Sequence, residues 1–102
     1  MFYHKEKITV NINGGKGSIV TNKLRGNLAY LIIKPKTEDT IWDLTVLDGE
    51  KDEIFNVKEH IGLMIAKDCI ALGKDASESL EFKFSRLTRN EPMNLVLKVK
   101  EM

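Results

Sequence analysis

Cysteine is nearly absent from the chain, which has a single one, Cys69, among its 102 residues. A lone cysteine excludes an intramolecular disulfide and fits a reducing compartment, where a buried thiol is the simplest role. Long apolar runs are also missing. None approaches the roughly 20 residues of a membrane span, and the N-terminal MFYHKEKITV lacks the apolar core and small-residue cleavage site of a secretory signal. We therefore expect neither a membrane-spanning protein nor one secreted by this route.

An excess of one charge is missing too, because 16 Lys and Arg residues face 15 Asp and Glu residues and leave a formal net charge of +1. The two signs are interleaved along the chain instead of forming a basic face that could neutralise a row of phosphates. We therefore predict that nucleic acid is not a partner.

What the chain does contain is enough apolar side chain for one core, with 42% hydrophobic and 30% charged residues. A second core does not fit in this length, so we predict one domain over residues 1–102.

Hydrophobic residues recur with a period of two, which is typical of strands with one buried face. The inward positions of these runs are predicted to be Ile8, Val10 and Ile12, then Trp42, Leu44 and Val46, then Leu80, Phe82 and Phe84, and finally Leu95, Leu97 and Val99. NLAYLIIKP is apolar at consecutive positions, which predicts a central strand covered on both faces and ended by Pro35. We interpret Trp42 and the two phenylalanines as core and not as a stacking platform for sugars or bases.

The segment 58–72 fits either a helix or two short strands. Asn56 and Glu59 imitate a capping box, and four apolar residues could share a helical face: Ile61, Ile65, Cys69 and Leu72. An early Gly62 and an Asp68 on that face favour the two strands. The whole pattern predicts an all-β fold, an antiparallel β-sandwich of the jelly-roll or immunoglobulin-like type with at most one short helix.

Four carboxylates surround Gly49 in the stretch TIWDLTVLDGEKDEIFNV. A helix-loop-helix calcium site needs Gly at its sixth position and a bidentate Glu at its twelfth. Counting from Asp48, the sixth residue is Glu53, and the twelfth, Glu59, follows a strand-like run instead of a loop. An Asp-Gly step between alternating hydrophobic residues is a hairpin signal. We predict a solvated turn at Asp48 and Gly49, with a positive φ at the glycine and no bound cation.

The other polar candidates lack the spacing of a known site; they are Lys16 in GGKGS, His4, His60, Ser77 and Ser79. In GGKGS the lysine precedes the last glycine and a strand-like SIV follows, so a turn between strands is favoured over a phosphate loop. We predict no catalytic, metal-binding or cofactor-binding residue, no cofactor, and no enzymatic activity.

The order of NLAYLIIKP, TIWDLTVLDGEKDEIF, HIG and LEFKFSRLTRNEPMNLVLKV resembles small β-sandwich structural proteins from the head and tail gene clusters of tailed bacteriophages. The likeness covers roughly the region from Asn27 to the end. It implies a virion component, such as a capsid decoration protein or a head-tail adaptor subunit, that is assembled in the host cytoplasm and has no catalytic residues. LMIAKDCIALGKDASES departs from the pattern.

Partner contacts are expected with itself or with capsid, portal or tail proteins, through exposed sheet edges and loops. Phe2 and Tyr3 lie outside any clear core strand in the sequence, so we predict that they contact a neighbour; the competing interpretation is that they cover their own domain. The alternative function is a carbohydrate-binding or receptor-binding module, which would show exposed aromatic residues on a concave face. A small hydrolase ranks third, because it needs a pocket of convergent polar groups.

Overall fold

Strand pairing is nested along the chain in the computed structural model, which describes residues 2–25, 27–71 and 77–101. Paired residues approach one another from the two ends: Phe2 with Glu101, Val10 with Met93, Val20 with Glu81, Arg25 with Ser77, Ile33 with Met64, and Leu47 with Glu53. The fold is therefore one long antiparallel hairpin that has been rolled up.

Ten strands form this hairpin, and no described residue is helical. They are β1 Phe2–Val10, β2 Gly17–Val20, β3 Leu24–Arg25, β4 Asn27–Pro35, β5 Ile41–Leu47, β6 Glu53–Ile61, β7 Met64–Ala71, β8 Ser77–Glu78, β9 Glu81–Ser85 and β10 Met93–Glu101.

Rolling the hairpin produces two four-stranded antiparallel sheets and a short ribbon. The first sheet has the order β1-β10-β4-β7, the second has the order β2-β9-β5-β6, and β3 pairs with β8. Along the chain the strands alternate between the two sheets except at the β5–β6 hairpin, which stays within the second. The predicted β-sandwich is confirmed, and its nested pairing across two sheets is that of a jelly roll.

The core lies between the inner faces of the two sheets. The predicted inward residues of β5, β9 and β10, together with Leu80 just before β9, are each no more than 2% exposed. The ring centroid of Trp42 lies 5.8 Å from that of Phe84 in an edge-on contact, which is a favoured arrangement for two buried aromatic rings. The interpretation of Trp42 and the phenylalanines as core is confirmed.

Strand β4 is central in its sheet, as predicted, but it is covered on one face only. Leu31 and Ile33 are buried, whereas Tyr30 and Ile32 point outward and are half-buried. A register shift between Leu28 and Tyr30 brings consecutive apolar residues inward at the start of the strand. The prediction of two covered faces was wrong. The bulge adds an extra inward residue, so apolar residues follow one another in the sequence as they do in a fully buried strand.

The segment 58–72 forms strands, as favoured, with β6 ending at Ile61 and β7 beginning at Met64. Leu72 lies outside the described residues. Strand β1 starts at Phe2, earlier than the alternation around Ile8 indicated, and Ile12 lies beyond its end while still packing against the core.

Candidate functional site

Three large aliphatic side chains project into solvent where the second sheet passes to the first. Ile61 ends β6, Leu63 lies in the connection, and Ile65 is the second residue of β7. Their exposed fractions are 63%, 52% and 56%. Scattered exposed leucines and isoleucines are ordinary, but three within five residues at one corner expose much apolar surface in one place, and such patches mark interaction sites. We call these residues the apolar ridge.

The corner that carries the apolar ridge is held by buried hydrogen bonds around Gly62. The Trp42 indole Nε1 donates to the Gly62 carbonyl oxygen at 2.9 Å, and the Gly62 N–H donates to the Thr40 carbonyl oxygen at 2.9 Å. Gly62 has a φ of 74°, and a Cβ at this position would collide with the Glu38 carbonyl oxygen. Because only glycine fits here, the ridge is fixed in place, and a fixed contact surface loses little entropy on binding.

Both strands next to the apolar ridge are edge strands, yet their edges are interrupted. The register of β6 against β5 shifts between Trp42 and Leu44, and Glu59 takes a φ of 52° at this bulge. Asp68 in β7 takes a φ of 49° where the pairing of β7 with β4 shifts. Bulges of this kind oppose pairing with a strand from another molecule. Contact at this corner therefore depends on side chains more than on backbone pairing.

The predicted partner-contact residues Phe2 and Tyr3 do not form a free arm. Their backbone is the start of β1, where Phe2 pairs with Glu101 and Tyr3 with Lys100. Sequence reasoning missed this because His4 and Glu6 interrupt the apolar alternation of the strand. The side chains of Phe2 and Tyr3 lie outside the described part of the structure, so their role as contacts stays a prediction.

The acidic stretch forms the tip of the β5–β6 hairpin, as predicted, but with a different turn. Asp48 Oδ1 accepts hydrogen bonds from the backbone N–H groups of Glu50 and Asp52, at 2.9 and 3.0 Å. The positive φ belongs to Lys51, at 69°, and not to Gly49. The predicted positive φ at Gly49 was wrong because the Asp48 carboxylate organises a longer loop. In residues 2–25, 27–71 and 77–101, no three His, Cys, Asp or Glu side chains are grouped so that they could hold a metal ion.

A groove of about 450 Å³ on the outer side of the second sheet contains three charged side chains, and it is lined by Ile41, Asp43, Glu59, Ile61, Arg86 and Thr88. Asp43 is 9% exposed, and its Oδ1 accepts a hydrogen bond from the Glu59 N–H at 2.8 Å. The Arg86 guanidinium lies 3.8 Å from Asp43 Oδ2 and 3.7 Å from Glu59 Oε1. Since one Arg faces both carboxylates and one carboxylate caps the bulge, the arrangement is a structural ion-pair network.

The remaining sequence motifs are structural as well. Gly14 and Gly15 both have a positive φ, and Asn13 pairs with Lys16, so GGKGS is the predicted turn between strands. His4 Nε2 lies 3.1 Å from Glu6 Oε1, and the His60 ring packs against Trp42 with centroids 5.0 Å apart. Among the described residues, no helix is long and apolar enough to cross a membrane.

The apolar ridge was missed at the sequence level, although a signal for it exists. Ile61, Leu63 and Ile65 alternate with Gly62 and Met64, which is the period of a strand. Periodicity alone would place all three on one face of a single strand, but Ile61 ends β6 in the second sheet and Ile65 lies in β7 of the first. Periodicity also does not show which residues are covered, because Met64 is equally apolar and is the residue that is buried.

No family model matches the chain, and no curated protein matches it. Among solved structures, the Yersinia pseudotuberculosis-derived mitogen is similar with a TM-score of 0.49 and 17% identity, over 99% of this chain and 86% of that one. FLHE is similar with a TM-score of 0.46 and 11% identity, over 97% and 96%. VP2 of infectious bursal disease virus is similar with a TM-score of 0.42 and 9% identity, over 98% of this chain and 33% of that one. At these values the likenesses carry no argument about function.

Proposed function

We propose that the protein is a non-enzymatic structural subunit of a phage virion, of the capsid decoration or head-tail adaptor type, and that the apolar ridge contacts a neighbouring virion protein. The observation that carries this proposal is the exposure of Ile61, Leu63 and Ile65 on a corner fixed by the Trp42 and Thr40 hydrogen bonds. The resemblance of the strand motifs from Asn27 onward to tailed-phage structural proteins supports the virion setting.

The strength of one such contact is modest. Fully burying an aliphatic side chain contributes about 1.5–3 kcal/mol, and association costs at least several kcal/mol in lost freedom of motion. A single apolar ridge therefore gives weak pairwise binding. Many copies on one particle act together, so weak contacts suffice for a decoration or ring subunit.

The carbohydrate-binding alternative depends on exposed aromatic rings. Among the side chains that the structure describes, Trp42, Phe82 and Phe84 are buried, and Tyr30 and Phe55 are half-buried. No specific observation therefore favours that function over protein–protein contact.

Co-sedimentation with virus particles assembled without this protein tests the proposal. The wild-type protein should bind the particles, and the double variant Leu63→Ser with Ile65→Ser should lose at least tenfold in affinity while keeping its far-ultraviolet circular dichroism spectrum. The matched control is Val20→Ser in β2, because Val20 is as exposed as Ile65, at 56%, but lies away from the ridge. Equal binding by the double variant would reject the ridge. Failure of the wild-type protein to bind any particle, together with specific glycan binding, would reject the virion role.

A further inference from the structure

The outer face of the first sheet collects lysines from all four of its strands. Buried residues such as Val10, Leu31, Met64 and Leu97 point inward, so the residues between them point outward. The outward lysines, which we call the lysine face, are Lys5, Lys7, Lys34, Lys67, Lys98 and Lys100.

One row of the lysine face crosses the whole sheet. Lys5 in β1 pairs with Lys98 in β10, Lys98 pairs with Tyr30 in β4, and Tyr30 pairs with Lys67 in β7. At strand spacings of 4.7–4.9 Å, this row is about 14 Å wide. Lys7, two residues along β1 from Lys5, begins the next row, whose other members are Val96, Ile32 and Ile65.

Tyr30 orients two of these lysines. The Nζ atoms of Lys67 and Lys98 lie 5.6 and 5.5 Å from the centroid of its ring, within the range of cation–π attraction. The ring thus holds two ammonium groups at the surface and reduces the entropy that their side chains lose on binding an anion.

Acidic side chains are scarce around this face. In the described part of the chain, no carboxylate lies within ion-pair distance of Lys5, Lys7, Lys34 or Lys67. Asp68 is the one exposed acidic residue among the described side chains of the four strands. Four exposed lysines of this face thus have no ion-pair partner in the described part of the chain, which leaves them available to an external anion.

We propose that the lysine face binds the phosphate backbone of double-stranded DNA without reading its sequence. Duplex DNA carries one negative charge per roughly 1.7 Å of helix axis, together with condensed counterions. A row of ammonium groups that binds this polyanion releases those counterions, which favours binding. Base readout needs an element that enters a groove, and the face is a sheet with no such projection. Base stacking on Tyr30 competes with the two lysines at its ring, so binding is through phosphates.

Positive and negative charges are interleaved along the chain, which is why the sequence predicts no nucleic-acid partner. On the folded surface the two signs are separated. In β1, Lys5 and Lys7 alternate with Glu6, but Glu6 occupies an inward position opposite Leu97. Because successive side chains of a strand point to opposite faces, charges of opposite sign that are neighbours in sequence lie on different faces of the sheet.

Fluorescence anisotropy with a labelled duplex over a salt series tests the proposal. The logarithm of the binding constant should fall linearly with the logarithm of the salt concentration. The slope should be no steeper than about −5.4, the value for six phosphates at about −0.9 each. The double variant Lys5→Gln with Lys67→Gln should make that slope shallower by about 2. The matched control, Lys58→Gln with Lys83→Gln, removes the same charge from exposed positions on the second sheet and should leave the slope unchanged.

Absence of binding at low salt, or equal weakening by the control pair, would overturn the proposal. Tighter binding to heparin or to anionic vesicles than to the duplex, at matched charge concentration, would also overturn it in favour of another polyanion. A tenfold preference among unrelated duplex sequences would contradict binding through phosphates alone. Circular dichroism of both double variants checks that each is folded, so loss of binding is not loss of structure.

Discussion

Charged side chains are arranged differently on the two outer faces of the sandwich. On the second sheet, Arg86 faces the carboxylates of Asp43 and Glu59, and Lys51 Nζ lies 3.0 Å from Glu81 Oε1. On the first sheet, Lys5 and Lys98 are direct cross-strand neighbours. Charges that are paired within the molecule contribute to the fold, whereas like charges placed side by side oppose it. The grouped charges of the second face are therefore paired within the molecule, and the contrast supports the proposal that the lysine face binds an external polyanion.

The greatest loss of stability is expected from the core, which both sheets share. Trp42 is fully buried between the sheets and donates to the corner at Gly62, so Trp42→Ala should lower the free energy of unfolding by about 3–5 kcal/mol. Urea denaturation followed by circular dichroism measures this. The control is Phe55→Ala, at a half-buried aromatic position in edge strand β6, which should cost clearly less. An unchanged midpoint, with Trp42 emission already red-shifted in the native protein, would contradict its burial.

A smaller effect isolates the second face. Asp43→Ala leaves the Glu59 N–H without its acceptor at the bulge, so it should destabilise the protein by about 1–3 kcal/mol. Asp43→Asn keeps an oxygen at that position and should restore a large part of the loss. If both variants unfold at the same urea concentration as the wild type, the network does not stabilise the second sheet.

Replacing Lys5 tests the first face alone, and it should raise the free energy of unfolding slightly instead of lowering it. Lys5→Gln removes one of two facing ammonium groups, so it should raise the free energy of unfolding by a few tenths of a kcal/mol at low ionic strength. The gain should vanish at high salt, where exposed charges are screened. Parallel melts of Lys58→Gln provide the control for net charge. A loss of stability in Lys5→Gln at low salt would show that the lysine face is not strained.

The strands and most of the core could be predicted from the sequence because a period of two fixes which residues share a face. Leu80, Phe82 and Phe84 are buried as expected, and the described residues of the segment 58–72 belong to two strands. The bulges at Ala29 and Glu59 could not be predicted, because they depend on cross-strand partners distant in sequence. The turn at Asp48 was predicted but its conformation was not, because side-chain capping of backbone N–H groups outweighed the preference of Asp-Gly for a tight turn.

The candidate surfaces were less accessible to sequence reasoning than the fold. Alternation in the sequence shows neither that the chain passes from one sheet to the other between Ile61 and Ile65 nor that no neighbouring strand covers these residues. The lysine face needs the register of four strands, since Lys5, Lys67 and Lys98 are distant in sequence and meet only through Tyr30. Both surfaces depend on how the strands are arranged in the fold, and the sequence shows only the alternating residues of each strand.

The nested pairing also determines the order in which the sandwich can be completed. The β5–β6 tip joins residues close in sequence, whereas β1 must wait for β10, its hydrogen-bonded neighbour from the other end of the hairpin. Such a chain has high contact order, and loop closure over long separations makes folding slow. During synthesis, β1 and β4 lack their shared neighbour until β10 has been made, so the apolar inner face of the first sheet stays open until then.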